Sequence, residues 1–160
     1  MNLQILGFKG EITSVDETLS RINSMKKDGE IIQLLNADAV AGVRHIQHGV
    51  NQAFLAFQRN QNLANDLSVE ICLRCSAQRQ ISRAFELLGL KEGFMNLCVI
   101  LIDCDDYISE LSSIFDLDES VLNPDVDKLR DIYSISDEEL EIMDVEDILI
   151  DRISRLVADY

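Results

Sequence analysis

Residues 97–102, Leu-Cys-Val-Ile-Leu-Ile, form an unbroken apolar run and are the clearest buried strand in the chain. Two further strands precede it, over residues 3–8 and 30–35. Between these, Ser14-Val15-Asp16-Glu17 has the Ser-x-x-Glu spacing of a capping box, which opens a helix to about Met25. Lys26-Lys27-Asp28-Gly29 then makes a turn.

A long helix is expected over residues 38–58, where Val43, Ile46, Val50, Phe54 and Phe57 form one apolar stripe at the 3.6-residue period. Residues 67–75 suit strand or helix. A cap at Asp66 or Ser68, with Leu67, Ile71 and Cys75 at i, i+4 and i+8, favours helix. Residues 80–88 read as a helix burying Ile81, Ala84, Phe85 and Leu88, ended by Gly89 as a left-handed cap. Asp105 starts a helix to about Phe115, and Pro124 opens a short one. Ser136-Asp137-Glu138-Glu139 is a second capping box, and a closing helix runs from Val145 to about Ala158. The expected fold class is α+β: one small mixed sheet packed with about seven helices, as a single domain over residues 1–160.

Charge divides the chain. The formal net charge is −15, yet residues 36–90 hold four acids against five arginines, two histidines, six glutamines and five asparagines. Residues 101–160 carry nineteen acids and four bases. Such asymmetry suggests two surfaces for two partners. No apolar run approaches the roughly 20 residues that span a bilayer, and the first residues lack the form of a signal peptide. The expectation is a cytoplasmic protein without membrane contact, nuclear as well in a eukaryote.

Chemistry-bearing motifs are few. Cys72-Leu73-Arg74-Cys75 is a CxxC. Cys98 and Cys104 make no second pair at zinc spacing, and i, i+3 thiols on a helix share one buried face. His45 and His48 have no carboxylate at ligand spacing. The best enzyme alternative is a magnesium-dependent phosphotransferase using Asp103 and Asp105, where an apolar strand ends in Asp-x-Asp. It lacks the expected Gly-Thr and lies late in the chain, and Asp105 and Asp106 read better as helix caps. No metal, cofactor or catalytic residue is expected.

Several segments together carry a resemblance. Leu35-Asn36-Ala37-Asp38 leads into the long helix; Leu67-Ser68-Val69-Glu70-Ile71 follows; then come Arg79-Gln80-Ile81-Ser82-Arg83-Ala84 and Leu87-Leu88-Gly89 before the buried strand. This order resembles the small kinase-binding subunit of the KEOPS (EKC) complex, which makes threonylcarbamoyladenosine in tRNA. The likeness is firm over residues 31–102 and looser to the closing helix. One departure is the turn Ser76-Ala77-Gln78, where many members of that family carry a Gly just before the Arg-Gln-Ile signature.

The resemblance implies a non-enzyme that binds and supports the small atypical kinase/ATPase subunit, meets the remaining KEOPS subunits indirectly, and in archaeal members holds the single-stranded CCA 3′ end of tRNA. Arg44, His45 and His48 on the long helix, Arg59 and Arg74 near the connecting loop and turn, and Arg79, Gln80 and Arg83 suit that role. Guanidiniums meet phosphates, and amides and rings read bases. The same residues also fit an ordinary solvated helix face, which would make the protein an acidic interaction adaptor without RNA contact. On the closing helix Ile148, Leu149, Ile153 and Leu156, with Val145, Ile150 and Val157, cover an arc of about 200°, wider than core docking requires. That arc either leaves an apolar surface for the kinase or sinks into the domain's own core.

Overall fold

The computed structural model describes residues 1–158. It has one four-stranded sheet and eight α-helices among the described residues, confirming the α+β class. The chain divides into two compact units, residues 1–37 with 89–122 and residues 38–88 with 123–160.

The first unit holds the sheet. Strand β1 (Leu3–Ile12) leads to α1 (Val15–Met25), whose N-cap Ser14 side chain accepts from Glu17 N–H. Then come β2 (Ile31–Asn36) and β3 (Gly93–Ile102). With a short last strand, β4 (Asp116–Leu117), the order is β2-β3-β1-β4, and every neighbouring pair is antiparallel. This corrects the mixed sheet. The β1–α1–β2 connection does return in the same direction, but β3 inserts between the two strands and turns both contacts antiparallel.

From Leu97 to Ile102 β3 is buried on both faces, as its unbroken apolar run requires. Leu97, Val99 and Leu101 join Phe8, Ile12, Ile22 and Phe115 in one cluster, while Cys98, Ile100 and Ile102 are buried on the other face. The segment after β3 differs from expectation. Helix α5 covers only Ile108–Ser112, because Phe115 turns into the core and Asp116–Leu117 form β4 against Phe8 and Lys9. Phe115 packs on Gly10, where a Cβ would lie 2.8 Å from its ring. Buried Glu30 collects three donors: the Tyr107 hydroxyl and the Lys27 and Asp105 amides. The hydrogen bond from Tyr107 comes first in holding Glu30 below the usual carboxylate range, and the same bond pushes Tyr107 up to about 12.

The second unit is all-helical. Its α2 (Val43–Gln58) begins five residues later than expected, after a short 3-10 turn at Ala37–Ala39. The ambiguous segment is a helix, α3 (Leu67–Ser76), and Asp66 caps it by accepting from the Ser68 and Val69 amides. Helix α4 (Ile81–Leu88) follows. Asp125 caps α6 (Val126–Tyr133), a complete capping box of Ser136 and Glu139 starts α7 (Asp137–Ile142), and α8 (Val145–Ala158) closes the unit. Gly89 is not left-handed; the positive-φ glycines are Gly29, Gly42 and Gly93.

Helix α2 packs on both α3 and α8, so its buried arc is wider than the expected stripe. Ile46 and Val50 are fully buried, but Gly49, Ala53 and Ala56 share the seam, while Val43 is 40% exposed and Phe54 and Phe57 only half-buried. Small residues let the helices approach closely. A Cβ on Gly49 would lie 2.4 Å from Cys75 Sγ and 3.0 Å from Cys75 Cα. Gly49→Ala is therefore expected to destabilise this unit by about 1–3 kcal/mol despite the better helix propensity of Ala. Urea unfolding of the two proteins gives the comparison.

Candidate functional site

The residues singled out for RNA separate into an interior set and a surface set, all in the helical unit. Arg74 belongs to the interior. It is fully buried on α3, and its Nε donates to Glu70 Oε2 at 2.7 Å one helical turn earlier. Its Nη2 reaches the Gln61 carbonyl, and Glu70 Oε1 accepts from the Leu63 and Ala64 amides at 2.8 and 2.7 Å. The pair thus ties down the loop joining α2 to α3. A charged residue in a CxxC segment reads as surface in sequence, but here it is fully buried and bound to Glu70 and the Gln61 carbonyl.

His45 is also interior, at 0% exposure. Its Nδ1 accepts from Ala41 N–H at 3.0 Å, which leaves the proton on Nε2 to donate to the Cys75 carbonyl at 2.7 Å. Burial lowers its pKa to about 4, with a smaller contribution from His48. A neutral ring joining the start of α2 to α3 has no free edge for a base. Cys72 and Cys75 are likewise buried, and burial pushes Cys72 up to about 12.

Arg44 lies at the first turn of α2, whose N-cap is Gly42 at φ +128°. A helix start without its own side-chain cap attracts an anion. Glu146 of α8 supplies one, accepting from His45 N–H at 3.1 Å. Its other oxygen takes Arg44 Nη1 at 3.5 Å, and Asp147 takes Nη2 at 3.1 Å. A Cβ at Gly42 would strike Glu146 at 2.3 Å. His48 also turns to α8, its Nε2 2.8 Å from Ser154 Oγ. Since Ser154 donates to the Ile150 carbonyl, His48 is the donor in that pair. The polar face expected to greet RNA thus partly grips α8.

Arg59, Arg79, Gln80 and Arg83 are exposed. Arg59 sits at the C-terminal end of α2. Arg79 and Gln80 lie in the bend before α4, outside the helix that carries Arg83. Arg83 pairs with Glu86 at 2.7 Å. The turn Ser76-Ala77-Gln78 puts Ala77 at φ +54°, in the left-handed region, and its N–H donates to the Arg74 carbonyl. Ile81 and Phe85, expected to be buried, are each 46% exposed; only Ala84, Leu87 and Leu88 face inward on this short helix.

The apolar residues expected to offer a partner surface on α8 turn inward instead. Ile148, Leu149, Ile153 and Leu156 are at 2%, 0%, 0% and 7% exposure. The wide apolar arc of α8 is used within the unit, because α2, α3, α6 and α7 all pack on it. The side chain of Val157 lies outside the described residues. The apolar residue left open nearby is Ile142, 82% exposed, at the end of α7. Sequence reading missed it because a single Ile inside an acidic run has no periodic partner. In the sheet unit Asp103 turns in the left-handed region and accepts from Asn2 N–H, and Asp105 pairs with Lys27 at 2.5 Å. Both aspartates of the Asp-x-Asp pattern have structural employment.

Two outcomes test this interior. Arg74→Met leaves the Glu70 carboxylate buried without its cation and is expected to cost about 3–5 kcal/mol in urea unfolding. For His45 the folded pKa lies below the unfolded value near 6.5, so the unfolded chain binds the extra proton. Stability is expected to fall as pH drops from about 6.5 to 4, by about 3 kcal/mol from this group, and to level below. His45→Gln, which keeps an amide donor, is expected to flatten that part of the stability profile.

Residues 10–155 match the model of a family described as kinase binding protein CGI-121. The regulatory protein Cgi121 of Methanocaldococcus jannaschii is 38% identical over 108 residues, covering 64% of this chain and 70% of that protein. No helix among the described residues is long and apolar enough to cross a membrane. A match spanning both units and nearly the whole sequence leaves one conclusion: this chain belongs to the CGI-121 family of kinase-binding proteins.

Proposed function

We propose that this protein is a non-catalytic accessory subunit of the KEOPS complex, working as one module over residues 1–160 in the cytoplasm. It binds and supports the small kinase/ATPase, meets the other subunits through it, and holds the CCA end of tRNA for threonylcarbamoylation. The carrying observation is the family match over residues 10–155. Support of a kinase requires only a docking surface.

The RNA part rests on a smaller set than the sequence offers. Arg59, Arg79, Gln80 and Arg83 are exposed in a region with few acids. The three guanidiniums suit phosphates and unstacked bases, and the Gln80 amide suits a base edge. Charges beyond roughly 8 Å are screened at physiological salt, so acids of residues 101–160 do not forbid a local basic surface. The ion pairs of Arg44 with Glu146 and Asp147, and of Arg83 with Glu86, favour a second reading, an acidic adaptor without RNA contact.

Electrophoretic shifts with the assembled complex separate the two. Removing the CCA tail is expected to weaken tRNA binding about tenfold or more, the scale of losing one or two stacked bases. Arg79→Glu is expected to weaken it while circular dichroism still shows the folded protein, whereas exposed Lys26→Glu in the sheet unit leaves it near wild type. Equal binding of trimmed and intact tRNA would leave the adaptor reading.

A further inference from the structure

We infer that the groove beside Ile142 is where the kinase subunit docks, and that it takes a kinase segment bearing an apolar side chain flanked by Lys or Arg. The inference rests on the kinase-binding reading and names the surface that serves it. The groove has a volume of about 350 Å³ and lies wholly within the helical unit. Ile142 and Met143 form its apolar lip, and Ile148 of α8 forms part of its floor. Ile142 is the most exposed large apolar side chain among the described residues. An exposed Ile at the mouth of an open groove gains by being covered.

Charge selects what covers it. Residues 137–155 hold eight carboxylates and two guanidiniums. Both cations are already engaged: Arg152 with Glu139 and the Tyr133 carbonyl, Arg155 with Asp151 at 2.9 Å. The exposed Glu138, Glu141 and Asp144 are left around the lip, so the field there is negative. Such a rim repels a phosphate backbone and attracts a basic protein surface. A kinase segment with an apolar anchor between cations matches both features, with the anchor against Ile142 and Met143. The former candidates on α8 then act from behind: Ile148 supplies floor, while Leu149 and Ile153 hold the helix in place.

The test uses the full chain and the purified kinase subunit of the same organism, with affinity read by calorimetric titration. Ile142→Lys, a change at a site 82% exposed that leaves the fold intact by circular dichroism, is expected to weaken binding at least tenfold. Glu141→Lys with Asp144→Lys is expected to weaken it as well and to reduce its salt dependence. Phe94→Lys, at an equally open site on β3, is expected to stay within twofold of wild type. If wild type binds and Ile142→Lys binds equally, the groove is not the dock while kinase binding itself stands. If wild type fails to bind the kinase, the underlying reading fails instead. A homodimer in light scattering that Ile142→Lys dissolves, with kinase affinity unchanged, would assign the groove to a second copy and overturn the proposal.

Discussion

The helical unit is organised around two opposite charges that never meet water. Glu70 and Arg74 are both at 0% exposure, one turn apart on α3. Taking such ions out of water costs several kcal/mol each, and proximity alone offsets that poorly. Here the offset comes from saturation: both carboxylate oxygens are engaged, and two of their donors are backbone amides of the loop between α2 and α3. The pair therefore fixes loop and helix together. From α3, the Cys75 carbonyl receives His45, and the Cys75 side chain fills the space that Gly49 leaves open. The α2–α3 contact is set by these polar and steric conditions as much as by apolar area.

The acids of residues 101–160 have two separate tasks. Some finish helices. Asp125 caps α6, Glu139 completes the box with Ser136, and Glu146 sits at the uncapped start of α2, where the helix dipole favours an anion. These carboxylates hold backbone amides that would otherwise lack partners. Others, such as Glu138, Glu141 and Asp144, stay exposed and give the α7–α8 region its field. Charge asymmetry visible along the chain thus becomes structure at one set of positions and recognition at another. Their proximity to Ile142 is what makes that exposed side chain informative.

Much of the secondary structure was legible because its signals are local. Ser136 and Glu139 make the reciprocal box that their spacing implies, Asp66 caps α3, and the apolar run at 97–102 is the centre of the sheet. Elements whose limits depend on distant packing were harder to read. The helix after Asp105 is short because Phe115 is drawn onto Gly10 and β4 then pairs with β1. Side-chain destinations were least legible. His45 and Arg74 have the chemistry of an RNA surface, and only their partners 30 and 4 residues away reveal them as interior groups. Conversely, Ile81 and Phe85 fit an apolar helix stripe, yet α4 offers only one narrow face inward.

The amino-acid order by itself determined where the capped helices α1, α3 and α7 start, which strand is central, that the chain's negative charge gathers in its last sixty residues, and which family it resembles, since each is written in short-range pattern. Tertiary structure alone decided the fate of α8 and of the arginines. A helix with a 200° apolar arc is a binding surface or a core element according to how many neighbours pack on it, and four do. An arginine is a ligand contact or a strut according to whether a carboxylate arrives from elsewhere, as Glu146 and Asp147 do for Arg44. Burial and ion pairing are properties of neighbours brought together by folding, and no residue carries them alone.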